Sequence, residues 1–131
     1  MAEFNWPPLE SSPEIFTDYM QKLGLPSTWG FSELYGLEEE LMQMVPQPVV
    51  AVILCADYKI KSNNVGSQTT ACSFYMDQTS KLDNACGVIA CLHSIFNSAQ
   101  IEIAPDTALG KYLASVVGKT SAEKASYLEV N

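Results

Sequence analysis

The chain has 131 residues, of which 47% are hydrophobic, 10% aromatic and 17% charged, with ordinary counts of 7 Gly and 7 Pro. That length suits one domain with a substantial core, and the composition excludes collagen-like, low-complexity and extensively disordered classes. Seven basic residues, all Lys and scattered, against 15 acidic ones give a formal net charge of -8. A nucleic-acid partner is therefore not expected, since phosphate neutralisation needs clustered cations. The longest apolar run, 49–56, falls far short of the roughly 20 residues of a membrane span, and Met1-Ala2-Glu3 followed by Trp6-Pro7-Pro8 is not a secretory signal. The expectation is a cytoplasmic protein without membrane contact.

A first helix is predicted from Ser11 or Ser12, with Pro13 in its first turn and Glu14 completing a capping box. Ile15, Phe16, Tyr19, Met20 and Leu23 repeat at helical spacing, and Gly24 with Pro26 ends the segment. Trp29, Phe31, Leu34 and Tyr35 read as core. Residues 37–44 read as a short helix stopped by Pro46 and Pro48. Val49-Val50-Ala51-Val52-Ile53-Leu54 is short, β-branched and uninterrupted, and predicts a strand buried on both faces. Residues 59–68 read as a polar loop and 71–76 as a brief strand.

From Ala85 the apolar positions 85, 88, 89, 92, 95 and 96 follow a helical period with little polar face, so this helix is predicted to be central. Asp106 is the expected cap of the next helix, whose Leu109, Tyr112, Leu113, Val116 and Val117 form a stripe before Gly118. Thr120 and Glu123 make another capping box ahead of Tyr127 and Leu128.

Cysteines stand at 55, 72, 86 and 91, with no Cys-x-x-Cys pair and His93 as the sole histidine, so neither a metal site nor a disulfide framework is expected. Cys86 falls at the start of the central helix, where unsatisfied amides and the helix dipole favour an anion. That placement suits a nucleophile, and equally a small buried thiol. His93, seven residues along the same helix, lies roughly 10.5 Å away along the axis, beyond hydrogen-bond reach. It reads as a core histidine and not as the base for Cys86.

Trp6-Pro7-Pro8-Leu9-Glu10-Ser11-Ser12-Pro13-Glu14, Leu23-Gly24-Leu25, Tyr35-Gly36-Leu37, Met44-Val45-Pro46-Gln47-Pro48, Gln78-Thr79, Asn84-Ala85-Cys86-Gly87, Leu92-His93 and Phe96-Asn97 follow one another along the chain. Taken in that order, these motifs resemble the ubiquitin carboxyl-terminal hydrolases of the papain-like cysteine protease class. The resemblance implies an α/β (α+β) papain-like fold. Residues 1–131 would be the amino-terminal portion of the catalytic domain, lacking the carboxyl-terminal strands. It also implies thiol-dependent hydrolysis at the terminal glycine of ubiquitin through an acyl-enzyme on Cys86, without cofactor or metal.

The partner implied is ubiquitin or a ubiquitin-like protein. Gln78 matches the family's oxyanion donor, although seven residues separate it from Cys86 where the family has five. Leu9, Glu10 and Glu33 match ubiquitin-contacting positions. The family's catalytic histidine and aspartate lie beyond the stretch matched, so near-background turnover is expected for this chain alone. The alternative is an inactive or regulatory ubiquitin-binding fragment.

Overall fold

A computed structural model describes residues 9–55, 74–82 and 84–129. Among them are five α-helices and a 3-10 turn, and no strand. The predicted loop at 59–68 and the first part of the predicted strand at 71–76 lie outside the described residues.

Helix α1 spans Pro13–Leu23, with Ser12 as its extended N-cap. The capping box does not form: a start at Ser12 puts Ile15, not Glu14, third in the helix, and the Ser12 side chain makes no cap bond. Phe16 and Met20, one turn apart, are both buried. Gly24 ends the helix at a φ of 130°, a conformation that side-chain-bearing residues rarely adopt. Its amide donates to the Gln21 carbonyl (3.2 Å) and that of Leu25 to Met20 (2.9 Å), closing a Schellman turn. A side chain at Gly24 would also strike Thr107, so the helix end docks directly on that residue.

The following segment is tied back to α1. The Phe31 amide donates to Thr17 Oγ1 at 2.8 Å, the Gln21 amide to the Trp29 carbonyl at 2.9 Å, and the Phe31 ring meets Phe16 edge-on at 5.6 Å. Trp29 and Phe31 pack against the core as expected. Leu34 and Tyr35 do not: Tyr35 is 68% exposed. Helix α2, Glu39–Met42, is shorter than predicted and buries none of its residues. With no apolar face covered, a single turn is all that local propensity sustains.

The predicted strand at 49–54 is a clearer correction. Val52 and Leu54 are exposed, and only Ile53 leans on the core. A strand buried on both faces needs paired neighbours and two covering layers, and the described residues supply neither.

Helix α3, Cys86–Phe96, is central as predicted, burying Val88, Ile89, Cys91, Leu92 and Ile95. Around it pack α1, the segment 74–82, α4 (Ala108–Ser115) and α5 (Ser121–Glu129). The cap of α4 is Thr107 rather than Asp106, its hydroxyl accepting from the Gly110 amide at 3.1 Å. Leu109, Tyr112 and Val116 face inward, whereas Val117 is exposed past the helix end. The second capping box forms as expected: Thr120 N–H donates to Glu123 Oε1, and Glu123 N–H to Thr120 Oγ1, both at 3.2 Å.

Candidate functional site

Cys86 occupies the first residue of α3, behind Ala85, which is completely buried and serves as the N-cap. Because Ala85 has no side-chain acceptor, no cap side chain screens the amides at this helix end from an approaching anion. The Cys86 thiol is exposed while the two residues that follow Gly87 point into the core, so the helix presents sulfur outward from a rigid base. A β-carbon at Gly87 would lie 3.5 Å from the Leu9 carbonyl and 3.6 Å from the Leu9 β-carbon and the Phe16 ring. Leu9 therefore lies against Gly87, the residue that follows Cys86.

The other described cysteines differ in kind. Cys91 is buried, and loss of solvent pushes its thiol up to about 12, so it stays protonated near neutrality. Cys55 is exposed at the end of the apolar run 49–54, remote in sequence from any helix start.

Gln78 precedes the 3-10 turn Ser80–Leu82, which leads towards α3. The turn is closed by the Leu82 amide on the Thr79 carbonyl at 3.0 Å, and the Leu82 side chain is wholly buried. The Leu82 carbonyl then accepts twice, from Gln78 Nε2 at 3.0 Å and from the Ala85 amide at 3.2 Å. The Gln78 amide is thereby joined through one shared acceptor to the residue preceding Cys86. A seven-residue connection between Gln78 and Cys86 is thus taken up by a turn anchored in the core.

Leu9 is half-buried against Gly87 and the core, while Glu10 and Glu33 are exposed. No hydrogen bond or ion pair brings either glutamate to Cys86 among the described residues.

His93 stands where a core histidine would. Its Nε2 accepts from the Met76 amide at 3.1 Å. Desolvation first, and the positive charge of Lys124 second, lower its pKa below the ordinary 6.5, against the Ile89 backbone, which raises it. With Nε2 engaged by the Met76 amide, and two turns along α3 from Cys86, the ring is not available to the thiol. Its neighbour Asn97 pairs with Phe74 in both directions. Asn97 Oδ1 accepts from the Phe74 amide, and Asn97 Nδ2 donates to the Phe74 carbonyl, each at 2.8 Å. Sequence periodicity gives Asn97 no such role; the only signal is its placement four residues after His93, on the same helical face.

An apolar cavity of about 120 Å³ lies between α1, α3, α4 and α5, lined by Tyr19, Leu23, Val88, Leu92, Tyr112 and Leu128 among others. None of the candidate site residues lines it. Among the described residues no group of three His, Cys, Asp or Glu could hold a metal ion, and no helix is long and apolar enough to cross a membrane.

Cys86 thus offers an exposed thiol at the first residue of a buried helix, with the Gln78 carboxamide bonded to the turn that leads into that helix. The chain belongs to the ubiquitin carboxyl-terminal hydrolase family, family 1, whose pattern it matches over residues 6–131. It is 38% identical over 108 residues to a probable ubiquitin carboxyl-terminal hydrolase of Dictyostelium discoideum, covering 74% of this chain and 42% of that protein. A ubiquitin carboxyl-terminal hydrolase of Drosophila melanogaster is 35% identical over 109 residues, covering 75% and 47%. Ubiquitin carboxyl-terminal hydrolase 3 of Arabidopsis thaliana is 34% identical over 138 aligned positions, covering 95% and 57%. The chain thus spans about half the length of the curated relatives it matches.

Proposed function

We propose that residues 1–131 form the amino-terminal portion of a ubiquitin carboxyl-terminal hydrolase catalytic domain, in which Cys86 is the nucleophile. The observation that carries this reading is the exposed Cys86 thiol at the first residue of α3, in a chain of this family. The thiolate attacks the carbonyl of the carboxyl-terminal glycine of ubiquitin or a ubiquitin-like protein. The amine leaves with a proton, and water resolves the resulting thioester. Amides at the start of α3 and the Gln78 carboxamide stabilise the oxyanion that forms on the way.

The general base comes from outside these residues, because the sole histidine stands two turns along α3 from Cys86 with its Nε2 held by the Met76 amide. The complete domain adopts a papain-like fold. Leu9 in the arm beside Gly87 and the exposed Glu10 and Glu33 face ubiquitin, whose tail is basic, and the protein works in the cytoplasm. The test is release of a fluorescent amine from the ubiquitin terminus by this chain combined with a polypeptide supplying the other half of a family domain. Turnover that vanishes in Cys86→Ala is expected, and turnover that survives the substitution contradicts the reading.

A further inference from the structure

Residues 74–77 behave as a strand whose neighbour is not another strand. Phe74 and Met76 are buried at 2% each and Tyr75 points out at 57%, the two-residue alternation of a pleated chain. Their backbone polar groups, however, bond to side chains of α3 and of its C-cap, Asn97. Asn97 pairs with both the amide and the carbonyl of Phe74, and His93 Nε2 accepts from the Met76 amide. Asn97 Nδ2 also donates to the His93 carbonyl at 2.9 Å, joining the two clamps. One residue further, Asp77 is held from α5: its amide donates to the Ser121 carbonyl at 3.2 Å, and the Ser121 hydroxyl donates to its carboxylate at 3.0 Å.

The segment therefore runs antiparallel to α3, from its carboxyl end towards Cys86. The spacing is self-consistent. Two extended residues advance roughly 6.6 Å, and the four helical residues from Asn97 to His93 rise roughly 6 Å. Two further residues carry the chain to Gln78, which comes roughly 4 Å short of the level of Cys86 on the helix axis.

We propose that His93 and Asn97 are positioning residues that set the register of the Gln78 carboxamide against Cys86, so that one helix carries both the nucleophile and the ruler for its oxyanion donor. This rests on the reading of Cys86 and Gln78 as nucleophile and donor. Protonating His93 removes the acceptor of the Met76 amide and loosens the ruler at its midpoint. Around the imidazole stand the Tyr75 ring at 5.4 Å, the Phe74 ring edge-on at 5.6 Å and the Lys124 ammonium, with the Asp77 carboxylate committed to Ser121.

The test has a spectroscopic arm on the full chain and a kinetic arm on the complemented domain. With nitrogen-15 labelling, the Met76 backbone amide and the Gln78 side-chain amide are followed as the pH falls from 7.5 to 5. Both are expected to shift with one common midpoint below 6.5, and neither to shift in His93→Gln, which offers a non-titrating acceptor. A Met76 amide that titrates while Gln78 stays still overturns the proposal, and so does a Gln78 response that persists in His93→Gln. In the kinetic arm, Asn97→Ala is expected to lower kcat about a hundredfold with KM unchanged, as a misplaced catalytic group does. The same substitution in a Gln78→Ala background is expected to cost nothing further, whereas equal losses in both backgrounds mean Asn97 acts on the fold alone and overturn the proposal. Absence of Cys86-dependent turnover defeats the functional reading instead, and the spectroscopic arm then decides the clamp by itself.

Discussion

The surroundings of α3 and the stretch 34–54 are both rich in apolar residues, yet they end in opposite states. Around α3, buried side chains from α1, α4, α5 and the segment 74–82 form one cluster. In the stretch 34–54, Leu37, Met44, Val52 and Leu54 are each at least 65% exposed. The difference lies in what each element needs. A helix satisfies its own backbone and requires cover along one stripe only, whereas a central strand requires partners at both edges as well as cover on both faces. Apolar composition alone does not bury a segment; the available neighbours do.

The sharpest way to break this comparison is to truncate one side chain in each region. Met20→Ala removes a side chain with no exposed surface and is expected to lower the unfolding free energy by about 2–5 kcal/mol, measured by urea denaturation. Val52→Ala, at a position 76% exposed, should change it by less than about 0.5 kcal/mol. A loss at Val52 comparable to that at Met20 would mean the stretch is buried in solution.

Between these extremes stands Thr107→Ala, which removes the acceptor of the Gly110 amide at the start of α4. A loss of about 1 kcal/mol is expected, and Thr107→Ser should recover most of it. Asp106→Ala should cost far less, since Asp106 is not the cap.

A smaller, pH-dependent effect belongs to His93. Its native pKa is lowered, so on acidification the unfolded chain takes up the proton before the folded one does. Stability is fully present above the ordinary imidazole value of 6.5, falls as the pH drops below it, and levels once the native ring is protonated. Glu123, held below its ordinary 4.5 chiefly by the Thr120 backbone bond, contributes stability that is lost only at lower pH, so the two windows separate. Urea midpoints at pH 7.5 and 5.5 should converge in His93→Gln relative to the native chain.

Much of the helical half was legible in the sequence because its signals are local. The stripe from Ala85 to Phe96, the glycine after Leu23 and the Thr120–Glu123 box each act within a few residues and appear where expected. The cap of α4 falls one position from the predicted Asp106, since Asp106 and Thr107 are both competent acceptors and the local sequence does not distinguish them. The predicted strand at 49–54 does not appear, because strand burial depends on distant partners that a local pattern does not specify. The site divides in the same way. Cys86 at a helix start could be read from periodicity and spacing. The shared Leu82 acceptor and the Asn97 clamp could not, because both depend on how an irregular segment folds back along α3.

The central claim, that Cys86 is the thiol the fold presents for attack, is tested most directly by a ubiquitin carrying an electrophilic group at its carboxyl terminus. The chain is incubated with it and the adduct is located by peptide mapping. A single adduct on Cys86 is predicted, absent in Cys86→Ala and unchanged in Cys91→Ala, whose native thiol is buried and protonated. An adduct that maps to Cys55, Cys72 or Cys91, or labelling that proceeds undiminished in Cys86→Ala, would contradict it.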